Sequence, residues 1–365
     1  MRVGIMTGGG DCPGLNAVIR AAVKVGIHQH GFEVLGIEDA FSGLIDLDYR
    51  SPHGNRWLTS NDVRDILARG GTIVGTSNRC DPFRFAVERD GETCVEDVSA
   101  RVMESFETLG LEALITIGGD GSMGIARKFS ELGMPVVGIP KTIDNDLSAT
   151  DVTFGFDTAV HVATDAIDRL RDTAESHDRV MLVELMGRDA GWIALTAGLA
   201  GGAHIILIPE IPYRLEPIAA RIEERRRRGE PYSVIVVAEG ATPLGGERSV
   251  LEQLPGGMPR LSGAATICAA GLSNLGGAEM RVTVLGHVQR GGSPSCFDRV
   301  LATRFGHHAA ELVAARQFGR MVALRMPDIV SVPLSEAVDK PKRVDPKGQV
   351  VTTARALGVV FGDED

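Results

Sequence analysis

Short apolar runs alternate along the first half of the chain with longer stretches in which apolar residues recur every three or four positions. The runs predict buried strands of a parallel sheet, and the longer stretches predict helices that pack on it. Such alternation is typical of a doubly wound α/β domain. The predicted strands are Val3–Met6, Glu33–Ile37, Leu114–Ile117 and Val136–Ile139, and the predicted helices are Leu15–His28, a segment near Asp62–Arg69, and Met123–Leu132.

A second alternation begins after Asp151. A helix is predicted over Thr158–Ala174, because its apolar residues fall on one helical face. The chain is therefore expected to contain two similar α/β units, although no internal sequence repeat proves a duplication. The further predicted elements are strands at Val180–Leu185, His204–Ile208 and Ser233–Ala238, and helices at Trp192–Ala200 and Leu215–Arg228.

Two of the predicted strands end in turns that are expected at one sheet edge, where open α/β sheets bind ligands. The first turn, Gly118–Ser122 with sequence GGDGS, is rich in glycine and leads into a helix N-terminus, which suits phosphate. Its carboxylate, Asp120, would repel phosphate unless a divalent cation lay between them, so Mg²⁺ is predicted at Asp120. A plain strand-to-helix turn explains this pentapeptide equally well when it is taken alone.

The second turn, Pro140–Asp146 with sequence PKTIDND, carries carboxylates, an amide, a hydroxyl and an ammonium directly after a buried strand. A surface turn needs only one Asp or Asn to cap a helix, so a purely structural role explains it poorly. Asp144 is suited to accept a proton from a substrate hydroxyl, and Lys141 to hold phosphoryl charge. Together the two turns predict a phosphoryl-transfer site.

Composition restricts the class of protein. The chain has 365 residues, of which 44% are hydrophobic and 24% charged, as expected of a globular protein long enough for two domains. The net charge of −10 argues against a nucleic-acid or anionic-membrane partner. The cysteines lack C-x-x-C spacing, which disfavours a disulfide framework or a zinc site. With no recognisable signal peptide or membrane-spanning run, a soluble, cytoplasmic protein is expected.

These motifs resemble those of the 6-phosphofructokinase family, whose members phosphorylate fructose 6-phosphate at its 1-hydroxyl. The similarity is to the bacterial A type, in its mixed-substrate branch, and extends from residue 1 to about residue 300. The tail after Met326 matches no motif. The segments that carry the resemblance, in order, are MRVGIMTGGGDCPGLNAVIR, GGDGS, PKTIDND, SHDRVMLVELMGRDAGWIA and VTVLGHVQRGGSPS.

The resemblance implies two doubly wound α/β/α (Rossmann-like) lobes with the active site in the cleft between them. A donor lobe that binds nucleotide and Mg²⁺ would comprise residues 1–155 and about 288–325. A sugar-phosphate lobe would comprise residues 156–287 and part of about 326–365. The family also implies self-association to a homodimer or homotetramer.

The resemblance places the contacts to ATP on glycine-rich loops. At one of them the chain departs from the common ATP-dependent pattern, because Asn78 stands where the family has arginine and Arg79 comes one residue late. Members that use pyrophosphate carry Asp where Gly121 stands, whereas Lys141 is typical of those enzymes. An Asp would occupy and charge the space of the inner phosphate, but a lysine is merely permissive, so ATP is the predicted donor. The implied ATP-binding residues are Gly10, Arg79, Cys80, Gly119, Asp120, Gly121 and Ser122.

The resemblance also implies the roles around the sugar. Asp144 is the proton acceptor, Thr142 and Arg188 lie near the transferring phosphoryl group, and Asp146 orients Asp144 or the metal shell. Two arginines, Arg179 and Arg281, are implied to reach the site from a neighbouring subunit; arginine's planar fork suits phosphate. The implied substrate-binding residues are Thr142, Asp144, Arg179, Met186, Gly187, Arg188, Glu239, Arg281, His287 and Arg290.

The predicted function is therefore an ATP-dependent 6-phosphofructokinase. A pyrophosphate-dependent, reversible enzyme is the alternative. A non-catalytic sugar-phosphate sensor on the same fold is less favoured, because Asp120, Asp144 and Arg188 are all present.

The run Arg225–Arg228 is expected to be a solvated helix end. The alternative role for this run is an anion effector site, although Glu230 stands where allosteric members of the family carry a lysine.

Overall fold

The structure, a computed structural model, describes residues 1–49, 54–89, 92–252, 260–275, 279–338 and 340–364. The strands are β1 (Arg2–Thr7), β2 (Glu33–Gly36), β3 (Arg56–Leu58), β4 (Phe85–Arg89), β5 (Glu92–Glu96), β6 (Ala113–Gly118), β7 (Val136–Pro140), β8 (Val180–Leu185), β9 (Ile205–Leu207), β10 (Ser233–Ala238), β11 (Val250–Glu252), β12 (Arg260–Leu261), β13 (Met280–Val284), β14 (Arg320–Arg325) and β15 (Asp328–Pro333).

The helices follow the same chain order, with a short 3₁₀ helix at Gly286–Arg290. The α-helices are α1 (Leu15–His30), α2 (Ser42–Ile45), α3 (Ser99–Thr108), α4 (Asp120–Glu131), α5 (Phe156–Ser176), α6 (Trp192–Ala200), α7 (Leu215–Arg227), α8 (Ala264–Leu275), α9 (Cys296–Ala314), α10 (Leu334–Ala337) and α11 (Gln349–Ala356). No helix within the described ranges is long and apolar enough to cross a membrane.

The chain forms two compact units, each built from separate segments. Unit 1 begins at the amino terminus, and unit 2 includes the carboxyl terminus. Unit 1 consists of Met1–Ile143, Leu147–Asp157 and Arg290–Pro341, and unit 2 of Asp144–Asp146, Thr158–Gln289 and Lys342–Asp365.

Unit 1 is built on a seven-stranded sheet with the order β15-β14-β7-β6-β1-β2-β3. Its inner strands are parallel, and β3 and β15 join the edges antiparallel. Strands β6 and β7 are buried along their whole length, as expected of parallel strands covered on both faces. Thr7 pairs with Ile117, and Gly118 with Pro140. The carboxyl ends of β1, β6 and β7 therefore lie side by side.

Unit 2 is built on a four-stranded parallel sheet with the order β13-β8-β10-β9. Strands β8 and β10 are buried throughout, and Leu185 pairs with Ala238, so these two strands end at the same level. Near the carboxyl terminus, Val360 forms a parallel bridge with Ile205 of β9. The last residues of the chain thereby cover the β9 edge of the sheet.

The predicted fold class, two α/β units on parallel sheets, is confirmed, whereas the domain boundaries and the roles of the lobes stay predictions. The helix predicted near Asp62–Arg69 is wrong, because this segment forms consecutive turns. The Asp62 carboxylate accepts hydrogen bonds from the amide and hydroxyl of Thr59 (2.7 and 2.6 Å), which favours a turn. Buried Val63 and Ile66 supply an apolar spacing that turns and helices share.

Candidate active site

The glycine-rich loops after β1 and β6 and the turn after β7 are joined by backbone hydrogen bonds. The Gly8 amide donates to the carbonyl of Ile117 (2.8 Å), and the Lys141 amide donates to the carbonyl of Gly118 (2.9 Å). Unit 1 therefore brings the first turn and the beginning of the second, up to Ile143, to one sheet edge, as predicted from parallel strand order.

Lys141 lies beneath the first of these loops. Its side chain is only 4% exposed, and its ammonium donates to the carbonyl of Gly10 at 2.6 Å. A Cβ on Gly9 would come within 3.3 Å of the same ammonium. Lys141 thus orders the glycine loop while it adds positive charge below it, a role that suits either phosphoryl donor.

Helix α4 begins at Asp120, directly after β6, with Gly119 as its N-cap. The amides of the first helical turn have no intrahelical carbonyl to bond, and they carry the positive end of the helix dipole. A Cβ on Gly118 would lie 2.2 Å from that of Ser122, so only glycine fits there. In contrast, Gly121 is exposed and a Cβ on it would meet nothing within 4 Å. The helix N-terminus therefore opens onto free space beside Gly121, as an anion site requires.

Asp120 is exposed in the first turn of α4. The described part of the chain contains no group of three or more His, Cys, Asp or Glu side chains able to hold a metal ion. Mg²⁺ commonly uses one or two protein carboxylates together with water and substrate phosphates. Asp120 beside the open space at Gly121 fits that type of site and does not fit an all-protein cage.

The loop that carries Arg79 and Cys80 is bound to the same glycine loop. The Gly9 amide donates to the carbonyl of Ser77 (2.9 Å), and the Thr76 hydroxyl donates to the carbonyl of Gly9 (2.6 Å). Arg79 is exposed here, whereas Cys80 is buried in the core, and burial raises the pKa of its thiol to about 11. A nucleotide contact at Cys80 would therefore come from its backbone.

Arg290, predicted to bind the sugar phosphate, lies against the predicted nucleotide loop. Its guanidinium donates to the carbonyl of Asp11 (3.1 Å). A Cβ on Gly10 would come within 2.7 Å of the same guanidinium group. Gly10 thus leaves room for Arg290, and unit 1 brings these two predicted site residues together.

In the PKTIDND turn, the carbonyl of Thr142 accepts a hydrogen bond from the hydroxyl of Thr153 (2.8 Å). The next three residues after Ile143, Asp144–Asp146, belong to unit 2. Asp144 and Asp146 are partly buried, and between them Asn145 is 6% exposed and has a left-handed backbone with φ of 52°. The two predicted catalytic carboxylates are therefore attached on either side of a buried, conformationally defined residue.

The carboxyl ends of β8 and β10 form the predicted acceptor edge in unit 2. The Glu239 amide donates to the carbonyl of Leu185 (2.9 Å), and the Gly240 amide donates to the carbonyl of Gly187 (3.1 Å). Gly187 has φ of 136°, and a Cβ on Gly240 would lie 1.9 Å from the carbonyl oxygen of Arg188. The structure thus brings Met186–Arg188 and Glu239 together, and both glycines are required there.

Gln289 connects the same edge to His287 and was missed in the sequence. Its buried side chain accepts from the Met186 amide (3.4 Å) and donates to the carbonyl of Gly286 (3.1 Å). It thereby fixes the 3₁₀ helix that presents His287 as an exposed side chain. An amide inside the GHVQRGG motif was the only available signal.

Arg179 and Arg281 lie elsewhere in unit 2. Both form ion pairs with Glu279, whose carboxylate lies 3.0 Å from the guanidinium of Arg179, and Arg179 is the main reason that the pKa of Glu279 is lowered. These arginines are at the amino ends of β8 and β13, whereas Arg188 and Glu239 follow carboxyl ends; six residues of β8 span roughly 17 Å. One chain does not bring the two pairs together, and a role in a neighbouring subunit stays a prediction.

The expectation that Arg225–Arg228 is solvated is wrong for Arg225. This residue is 8% exposed, its guanidinium pairs with Glu230 at 2.6 Å, and burial lowers its pKa. Glu230 therefore neutralises the arginine that packs into unit 2, which gives a structural reason for an acidic residue at this position.

Comparisons with known proteins agree with the motifs. The family model for phosphofructokinase matches residues 2–313. An ATP-dependent 6-phosphofructokinase of Chloroflexus aggregans is 52% identical over 363 residues, which cover 100% of this chain and 98% of the relative. A pyrophosphate–fructose 6-phosphate 1-phosphotransferase of Amycolatopsis methanolica is 52% identical over 350 residues, which cover 95% of this chain and 97% of the relative.

Among solved structures, phosphofructokinase from Saccharomyces cerevisiae matches 92% of this chain with a TM-score of 0.76 and 32% identity. This chain spans 45% of the yeast chain. The similarity extends over both units and includes the loops described above, so the resemblance first seen in the motifs is confirmed. The chain belongs to the phosphofructokinase family.

Proposed function

We propose that the protein is an ATP-dependent 6-phosphofructokinase, which transfers the γ-phosphoryl group of ATP to the 1-hydroxyl of D-fructose 6-phosphate and yields fructose 1,6-bisphosphate and ADP. The observation that carries the choice of donor is the open space beside Gly121 at the N-terminus of α4. The relative named as ATP-dependent and matched over its full length supports the same donor.

In this mechanism Asp144 accepts the proton of the 1-hydroxyl as that oxygen attacks the phosphorus in line. Arg188 and Thr142 stabilise the charge that develops on the transferring group, and Asp146 orients Asp144. Asp120 and the donor phosphates would hold Mg²⁺, which supplies positive charge that neutralises those phosphates.

We propose that three further side chains hold the acceptor. Glu239 accepts hydrogen bonds from sugar hydroxyls, and His287 and Arg290 bind the 6-phosphate.

Both substrates are cytoplasmic metabolites, and we propose a cytoplasmic location.

Donor choice is tested by initial rates with ATP and with pyrophosphate at equal fructose 6-phosphate and Mg²⁺. We expect kcat/KM for ATP to exceed that for pyrophosphate by at least about tenfold, because the open space beside Gly121 admits the inner phosphate of ATP, whose contacts pyrophosphate lacks. A pyrophosphate rate equal to or above the ATP rate would favour the alternative donor, which Lys141 and the name of the Amycolatopsis methanolica relative make the second candidate.

The role of Asp144 is tested by Asp144→Ser. Removing a general base is expected to lower kcat by at least ~10²-fold, while fructose 6-phosphate binding, measured by calorimetry, changes little. Asp165→Ser is the matched control, since Asp165 makes an exposed ion pair with Arg169 that contributes little. Near-normal turnover of Asp144→Ser would remove Asp144 from the proposed role.

We further propose that the enzyme is a homodimer or homotetramer in which Arg281 serves a neighbouring site. Arg281 lies at the amino end of β13, whereas Arg188 and Glu239 follow the carboxyl ends of their strands. This separation within one chain supports a role for Arg281 in a neighbouring subunit. Coexpressing the inactive variants Asp144→Ser and Arg281→Ala should restore activity, because a mixed oligomer would contain sites with both residues intact. Coexpressed variants that stay as inactive as each variant alone would contradict a shared site.

A further inference from the structure

Lys342 contacts the turn that carries Asp144, although it lies beyond the last residue matched by the family model. Its ammonium donates to the side-chain oxygen of Asn145 at 2.8 Å, and its backbone amide donates to the carbonyl of Asp146 at 2.7 Å. The two partners are consecutive residues that directly follow Asp144. One residue from the carboxyl-terminal segment therefore binds this turn through both its side chain and its backbone.

Lys342 is itself held in place by helix α6. The indole N–H of Trp192 donates to the carbonyl of Lys342 at 2.9 Å, and the ammonium lies 6.0 Å from the centre of the Trp192 ring. Trp192 is the first residue of α6 and follows the loop that contains Arg188. Lys342 thus links the Asp144 turn to the element that follows the predicted phosphoryl-binding arginine.

Glu210 fixes the next part of the same segment. Its partly buried carboxylate accepts from the Val344 amide at 2.8 Å and from the Gly191 amide at 3.0 Å. Val344 is two positions after Lys342, and Gly191 directly precedes Trp192. The segment around Lys342 is therefore attached twice to the start of α6, which makes it a rigid support.

The conformation that Lys342 holds is uncommon for a residue with a side chain. Asn145 has a left-handed backbone, a region that Asn tolerates better than most residues but that still needs support from its surroundings. A hydrogen bond from an ammonium to a neutral acceptor is stronger than one between neutral groups. Asp144 and Asn145 share a peptide unit. The direction in which the Asp144 side chain points therefore depends on the backbone conformation of Asn145.

We propose that Lys342 is a positioning residue for catalysis, which keeps Asn145 in its left-handed conformation and so fixes the Asp144 carboxylate. The proposal rests on the proposed role of Asp144 as proton acceptor. Small displacements of a reacting group lower the rate strongly, by up to ~10²-fold for about 1 Å. The effect is therefore expected in kcat and not in substrate affinity.

The test compares Lys342→Met, Lys342→Arg and Lys347→Met in the full-length enzyme. We expect Lys342→Met to lower kcat by about tenfold or more while the KM values for ATP and fructose 6-phosphate change by less than about threefold. Lys342→Arg should recover part of this loss. Lys347→Met removes the same charge from an exposed position in the same segment and should keep the wild-type kcat.

A double-mutant comparison separates positioning from general damage. If Lys342 acts through Asp144, Lys342→Met should change the residual rate of Asp144→Ser by less than about twofold. A further loss as large as in the wild-type background would overturn the proposal. Wild-type kcat in Lys342→Met, with Asp144→Ser impaired, would also overturn it and leave the proposed function intact. Near-normal activity of Asp144→Ser would instead contradict the proposed function.

Asn145→Gly tests the same hydrogen bond from its other end. Glycine adopts positive φ without strain but also populates many other backbone conformations, so this variant removes the hydrogen bond that selects the left-handed conformation without adding strain. It supplies the test if Lys342→Met does not fold. We expect a loss of kcat similar to that of Lys342→Met and no additional loss when both changes are combined. Wild-type kcat in Asn145→Gly would contradict the proposal.

Discussion

At the scale of single residues, glycine meets two different requirements in this site. Gly118 and Gly240 are needed for packing, because a Cβ would lie 2.2 Å from Ser122 at the first position and 1.9 Å from Arg188 at the second. Gly121 has no such neighbour, since a Cβ there would meet nothing within 4 Å. The lack of a side chain at Gly121 therefore keeps open the space at the N-terminus of α4, where a ligand is proposed to bind.

Gly121→Asp tests whether that space selects the donor. The added carboxylate would enter the proposed site of the inner phosphate, so we expect kcat/KM for ATP to fall by at least about tenfold, with a smaller loss for pyrophosphate. An acidic residue in the first helical turn is compatible with the helix dipole, so the fold should be kept. Gly121→Ala is the control and should change kcat/KM for ATP by less than about threefold. Equal losses with both donors in Gly121→Asp would contradict donor selection by this space.

At the scale of secondary-structure elements, the site depends on parallel strands that end at the same level. In unit 2, Leu185 pairs with Ala238, so the loops after β8 and β10 meet and exchange backbone hydrogen bonds. The same pairing brings Gly240 against the backbone of Arg188. Arg188 is therefore held by the close approach of two loops, and its position depends on the lack of a side chain on the neighbouring loop.

Gly240→Ala should separate the two loops. Because the new Cβ would meet a backbone carbonyl, which cannot turn away as a side chain can, the loop of Arg188 must move. We expect kcat/KM to fall by at least ~10²-fold and the thermal unfolding midpoint to fall by several degrees. Gly124→Ala, in helix α4 with nothing within 4 Å of its Cβ, should keep both values or raise the midpoint slightly. Wild-type kinetics in Gly240→Ala would show that Arg188 does not need this contact.

At the scale of the whole molecule, stability depends on partly buried ionisable groups that the proposed chemistry does not use. His204 lies directly before β9, where its Nδ1 accepts a hydrogen bond from the Val234 amide at 2.9 Å. Burial, followed by the nearby guanidinium groups of Arg225, Arg221 and Arg171, lowers the pKa of His204 from 6.5 to about 4. The folded protein therefore keeps this imidazole neutral at a pH where the unfolded chain protonates it.

The sign of the resulting pH dependence follows from linkage. The contribution of His204 to stability is fully present above pH 6.5 and is lost as the pH falls from 6.5 towards about 4, since only the unfolded state binds the proton in that range. His204→Asn keeps an acceptor for Val234 and removes the titration. The loss of stability on acidification should then be smaller by up to about 1.4 kcal/mol per pH unit, measured by urea unfolding at a series of pH values.

The control for this measurement is His161→Asn, at an exposed position on α5 in the same unit. It should leave the acid dependence of the unfolding midpoint as it is in the wild type. An acid dependence unchanged in His204→Asn would contradict the assignment of this effect to His204.

Much of the candidate site could be predicted from local sequence. The apolar runs Val180–Leu185 and Ser233–Ala238 have the same bounds as the observed strands, because burial on both faces requires continuous apolar residues. Since parallel strands share one carboxyl edge, the polar residues that follow them were expected together, and the hydrogen bonds between the Gly8, Gly118 and Lys141 loops agree. Local spacing failed near Asp62, where side-chain bonds to Thr59 favour turns.

The sequence by itself determined the fold class, the family and the set of chemical groups at the strand ends, since each of these is encoded within a few neighbouring residues. Only the tertiary structure decided which distant groups support them. Lys342 and Asn145 are separated by 197 positions, and Gln289 and Met186 by 103, so no local pattern connects them. The burial of Cys80 and Arg225 likewise depends on the packing of several elements at once. Contacts of this kind exist only after the chain has folded, because they depend on the spatial arrangement of elements and not on the order of residues.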